Sequence, residues 1–126
     1  MVLGLSVLAW AGFGVWLYLA PEALAGVGLV ADTALGRTEV RAFYGGLELG
    51  IAGFLGWCLA DPSRTRVGLV AAALLIGGTG LGRLSGVALE GFQTSGQMWG
   101  FVALELSAAA LSAWALQWEG ARAPGR

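Results

Sequence analysis

The chain has no histidine and no lysine, one cysteine and three prolines, and only 12% of its 126 residues are charged. Without imidazole there can be no His-based metal site, no His-ligated haem and no Ser-His catalysis. Cys58 stands alone in an apolar run, so no disulfide closes within the chain and no C-x-x-C metal or redox pair exists. It reads as a packing residue. All seven basic residues are arginine, dispersed and offset by eight acids, which excludes a basic nucleic-acid surface. No metal site and no cofactor is expected. Soluble domains carry charge on about a quarter of their residues. This chain is 57% hydrophobic with a mean hydropathy of +0.75, and has too few polar residues to cover a globule. Disorder, which needs the opposite balance, is excluded as well. The remaining solvent is a lipid bilayer.

Four stretches are long and apolar enough to span it, at about residues 2–20, 42–60, 67–89 and 97–118. No strand pattern appears. Short connections between helices predict an all-α, four-helix up-down-up-down bundle forming one transmembrane domain. The 21–41 connection is expected as a loop in which Pro21 opens a short interfacial helix. "DPSRTR" at 61–66 and the stretch from Gly91 to Gly96 supply tight turns. The first span also has the look of a signal peptide, with "ALA" at 23–25 as a cleavage site. Its lack of a basic n-region and its length favour a retained helix.

Arg64, Arg66, Arg122 and Arg126 fall on the side of both termini, whereas Arg37 and Arg41 fall on the other. The positive-inside rule therefore places both termini in the cytoplasm of a bacterial inner membrane, with the chain as a multi-pass protein. Trp16, Tyr18, Tyr44, Trp57, Trp99, Trp114 and Trp118 all lie near a span end, as an interfacial aromatic belt requires. Trp10 alone is deep, and reads as packing.

Three ionisable residues remain inside the spans: Glu48, Arg83 and Glu105. Each costs roughly 2.5–3.5 kcal/mol near a helix centre, so each is expected to face the interior and find a partner. Counted from the outer span ends at about 1.5 Å per residue, all three fall in one layer. Residues 47–57, "LELGIAGFLGW", also align with 104–114, "LELSAAALSAW", so the second and fourth helices resemble copies of one element in a parallel repeat. Glu48 and Glu105 then hold equivalent places, with Arg83 between them. Two carboxylates and one guanidinium leave a net negative charge. Either Arg41 supplies the missing positive charge from the outer interface, past Tyr44, or one Glu holds a proton. Arg37 and Glu39 complete an outer vestibule.

Gly46 and Gly50, then Gly78, Gly82 and Gly86, then Gly96 and Gly100, recur at four-residue spacing and are expected to let helix backbones meet. The same faces are the surfaces available for a homo-oligomer or another membrane protein. Membrane lipid is the expected partner in any case.

The strings "TEVRAFYGGLELG" at 38–50, "GLGRLSG" at 80–86 and "ALEL" at 103–106 resemble a widespread bacterial family of four-span membrane proteins of unknown function. That family is more distantly similar to DoxX-type membrane proteins. The most specific part is E-x-R-A-x-Y-G-G, here Glu39, Arg41, Ala42, Tyr44, Gly45 and Gly46. The resemblance covers nearly the whole chain. It implies the four-helix architecture and the importance of those polar positions, and implies no reaction.

The residues favour a structural or accessory membrane protein held together by its buried polar network. The alternative is a carrier, channel or sensor that uses the network as a proton or small-polar-ligand site. An enzyme ranks third, because two carboxylates capable of acid and base work come with no nucleophile, metal set or phosphate loop.

Overall fold

A computed structural model describes the backbone of residues 1–122 and side chains through residue 118. Arg126 and the side chain of Arg122, both counted above toward the positive-inside balance, lie outside the described residues. Among the described residues the regular structure is all helical, with no strand, as expected. Four helical segments are long and apolar enough to cross a membrane: Val2–Leu19, Ala34–Leu59, Pro62–Leu89 and Gly96–Trp118. The named elements are α1 (Val2–Leu19), α2 (Ala34–Val40), α3 (Leu47–Leu59), α4 (Thr65–Leu89) and α5 (Gly96–Arg122). Between α2 and α3, residues Arg41–Gly46 form a π-helical turn, so Ala34–Leu59 is one continuous helix with a locally widened turn.

The chain divides into two compact units, Leu3–Ala60 and the segment from Asp61 onward. In the first, α1 runs antiparallel to the Ala34–Leu59 helix. Gly4 lies near Leu59 at one end, Gly14 against Leu49, and Gly45 against Tyr18 at the other. α1 stops at Ala20 because Pro21 follows, and the residue before a proline is driven out of the helical region. Pro21 then opens a 3₁₀ helix, Pro21–Val27, which Gly28 closes in the left-handed conformation at φ +82°. Leu24 of this turn joins Leu17 and Val40 in a buried cluster, with Ala23, Val27 and Ala31 packed around it. Pro21 thus opens a short helix as expected, whereas the later part of the 21–41 connection, from Ala34, is helix rather than the expected loop. Helix resumes at Ala34, capped by the Thr33 hydroxyl, which accepts the Gly36 N–H at 3.0 Å. Its charged turns, Arg37 to Arg41, look like loop to a hydropathy reading, although backbone helicity does not depend on polarity.

In the second unit α4 and α5 are antiparallel. Gly77 meets Ala109, and one turn on Gly80 meets Leu106. α4 ends in a Schellman arrangement, with Phe92 N–H donating to Val87 O at 2.8 Å and Gly91 N–H to Ala88 O. Ser95 then caps α5 through the Met98 N–H.

Cys58 is fully buried as a free thiol. Trp16, Tyr18, Trp57, Trp99, Trp114 and Trp118 are exposed, whereas deep Trp10 is half-buried. The glycine stripes behave differently from expectation. A Cβ added at Gly50, Gly78, Gly82, Gly86, Gly96 or Gly100 would meet nothing within 4 Å, and at Gly46 only a carbonyl of its own helix. Close approach occurs instead at Gly14, Gly45, Gly77 and Gly80. Four-residue spacing fixes which residues share a face, but the neighbouring helix fixes which face is used.

Asp61 caps the 3₁₀ turn Pro62–Arg64. Its carboxylate accepts the Ser63 hydroxyl at 2.8 Å and the Ser63 N–H at 2.9 Å, and Arg64 donates to it at 3.0 Å. These bonds, the Ser63 hydroxyl first, hold its carboxyl below the ordinary value of 3.8. The capping contribution is thus complete above that value and is lost as pH falls through the lowered one. Protection of the Ser63 amide from hydrogen exchange should hold from pH 6 to 4 and collapse in stronger acid. Asp61→Asn should show no such step, and an identical acid profile in both proteins would refute the assignment.

Candidate functional site

The most deeply placed charges of the second unit meet across its helix pair. Arg83 Nε donates to Glu105 Oε1 at 2.9 Å, with the arginine side chain 32% exposed and the glutamate 12%. Gly80, one turn before Arg83, makes this possible. A Cβ there would stand 3.1 Å from Glu105 Cβ and 3.0 Å from Leu106, closer than ordinary contact, so glycine lets α5 come this near without displacement. The guanidinium lies over the Phe101 ring at 5.3 Å, a cation–π distance, and its Nη1 is 4.0 Å from Met98 Sδ. Phe101 precedes Glu105 by four residues and shares its helix face. The clasp thus has three members on α5, of which sequence reasoning found one. The i, i+4 spacing of Phe101 and Glu105 was the available signal.

The pairing is monodentate. Glu105 Oε2 is buried and has no hydrogen-bond partner among the described residues. A well-satisfied Arg–carboxylate pair would use both oxygens. No group of three or more His, Cys, Asp or Glu that could hold a metal comes together among the described residues.

The other expected site residues belong to the first unit, on the Ala34–Leu59 helix. Arg37 and Glu39 are in α2, Arg41 and Tyr44 in the π-helical turn, and Glu48 in the first turn of α3, half-buried. Of the two ways to balance the expected layer, a salt bridge from Arg41 is not the contact this side chain makes. Its Nε instead donates to the Tyr18 carbonyl at 3.1 Å, and it forms no ion pair among the described residues. The cause lies in α1, whose last carbonyls have no intrahelical partners, whose last turn holds no basic residue and which has no glycine cap. A guanidinium from the neighbouring helix fills that role and meets the negative end of the helix dipole. Arg37 Nη1 donates to the Asp32 carbonyl at 3.0 Å, while Glu39 and Tyr44 are exposed. The structure thus brings Arg83 to Glu105 within one unit and places Arg37, Arg41, Tyr44 and Glu48 along one helix of the other.

The π-helical turn coincides with the R-A-F-Y-G-G part of the motif. It seats Gly45 on Tyr18 with no room for a Cβ, which would stand 2.9 Å from Tyr18 Cβ.

No curated protein and no solved structure matches the chain. The family described as Domain of unknown function (DUF4345) matches residues 1–116, nearly the whole chain. With that coverage, and with four helices apolar enough to cross a membrane, the chain belongs to the DUF4345 family.

Proposed function

We propose that the protein is a structural or accessory multi-pass protein of the bacterial inner membrane, with both termini cytoplasmic and lipid as its constant partner. The supporting observation is the Arg83–Glu105 clasp, a partly buried charge pair that joins two apolar helices. Buried ion pairs add little net stability, but they fix which residues face each other. The wider layer that includes Glu48 is part of the same proposal, and rests on depth in the sequence and on the L-E-L repeat. The distant DoxX-type likeness rests on the motif strings alone and adds only the four-span topology.

Charge reversal tests the structural role. Arg83→Glu and Glu105→Arg should each lower the yield of folded, detergent-extracted protein several-fold, and the two together should restore at least half of it. A double variant as poor as either single would overturn the structural role. A second hypothesis, a carrier, channel or sensor, draws support from Glu105 Oε2, a buried acceptor that a proton or a ligand hydroxyl would satisfy. On that hypothesis the doubly reversed protein folds but has lost its ligand response.

A further inference from the structure

The first unit carries two guanidinium groups, those of Arg37 and Arg41, that form no ion pair with its carboxylates among the described residues. The Arg41 backbone N–H bonds to the Arg37 carbonyl, so the two residues stand one α-helical turn apart, with Cβ atoms about 5–6 Å from each other. Both are half-buried, and neither forms an ion pair among the described residues. Each is held by one bond to a backbone carbonyl, Arg37 Nη1 to Asp32 and Arg41 Nε to Tyr18, which orients the group and leaves other N–H donors unused. The nearest acids in sequence do not pair with them. Glu39 is two residues from each, an offset that does not share a helix face, and Asp32 offers Arg37 its carbonyl rather than its carboxylate.

We propose that Arg37 and Arg41 form a binding site for the phosphate group of an anionic membrane lipid. Two arginine forks based one helical turn apart suit the oxygens of a phosphate. Free phosphate shares this chemistry, but the position favours the lipid. The pair sits where the charged turns of α2 give way to the apolar run beginning at Ala42, and Tyr18, whose carbonyl Arg41 holds, is itself exposed. Lipid phosphates and interfacial aromatic residues occupy that level. The inference needs the protein to be in a membrane, and is otherwise independent of the Arg83–Glu105 clasp.

Native mass spectrometry of the full chain in detergent, with phosphatidylglycerol or phosphatidylcholine added, tests it. Phosphatidylglycerol should be retained in preference to phosphatidylcholine. Arg37→Gln, which gives up only a loop carbonyl, should weaken that binding about fivefold. Arg41→Lys, which keeps the charge but not the fork, should weaken it less. Arg66→Gln, at an exposed arginine of the other unit, should leave it unchanged. Binding by Arg37→Gln and Arg41→Lys equal to that of the parent overturns the site. Displacement of phosphatidylglycerol by millimolar inorganic phosphate overturns the lipid assignment. Equal retention of both lipids, with no change in any variant, counts against charge recognition altogether.

Discussion

Replacing Arg83 with methionine should destabilise the folded chain by about 1–3 kcal/mol, the cost of leaving a largely desolvated acceptor without its donor. Methionine matches much of the volume and keeps the Phe101 contact apolar, so the loss reports the charge rather than a cavity. Glu105 is 12% exposed, and its second oxygen already lacks a donor. Removing Arg83 takes away the one hydrogen bond formed by the first oxygen. Adding Glu105→Leu to Arg83→Met should recover most of the deficit, because an apolar pair avoids the desolvation that the ion pair had to overcome. The measurement is the unfolding midpoint in a denaturing-detergent titration. If Arg83→Met alone leaves that midpoint unchanged, the clasp plays no part in holding α4 to α5.

The pairing of Arg83 with Glu105 is legible in the sequence because the bilayer removes most alternatives. A charge in the middle of an apolar run has few polar groups near it, and the adjacent helix carries a carboxylate at a comparable place in its own run. Arg41 is less legible. Its obvious partner is a carboxylate, but its actual one is a backbone carbonyl at the end of α1, and backbone acceptors leave no mark in a residue inventory. The π-helical turn is invisible for a similar reason. One extra residue in a turn changes the phase of everything on either side without changing composition, and the tandem Gly45–Gly46 is its only trace. The four long helices, by contrast, can be read from apolar length alone, except that the second begins two turns earlier than its apolar run.

The L-E-L repeat acquires a physical meaning from the packing inside each unit. In the first, Leu49 of L-E-L seats on buried Gly14 of α1; in the second, Leu106 seats on buried Gly80 of α4. Each glycine belongs to a G-x-G string, Gly12 to Gly14 and Gly78 to Gly80. The two antiparallel pairs therefore solve the same close-approach problem with the same residues. On that register, the counterpart of Arg83 is Leu17, three residues beyond each glycine. The second unit thus has a cation beside its glutamate where the first has an apolar core residue, 5% exposed and packed with Leu24 and Val40. Shared packing with different polar content is what a duplicated hairpin would show once one copy had acquired a charged position.

Alanine at Gly45 and alanine at Gly50 should change stability in opposite directions, although the two residues are neighbours in one helix and both belong to glycine-rich strings. In an open helical position alanine gains about 0.8–1.0 kcal/mol over glycine from intrinsic propensity. A methyl group added at Gly50 would have nothing within 4 Å, so Gly50→Ala should stabilise by up to that amount. At Gly45 the methyl would lie 2.9 Å from Tyr18 Cβ and 3.0 Å from Tyr18 Cα. The second of these is backbone and cannot rotate away. Relieving the clash means pushing α1 off the π-helical turn, which also stretches the 3.1 Å bond from Arg41 to the Tyr18 carbonyl. Overpacking of this kind costs typically about 1–3 kcal/mol, enough to outweigh the propensity gain and reverse its sign. Thermal unfolding of the two variants in the same detergent gives the comparison directly. Equal, stabilising shifts for both would mean that Gly45 is not a contact point and that α1 packs elsewhere on the Ala34–Leu59 helix.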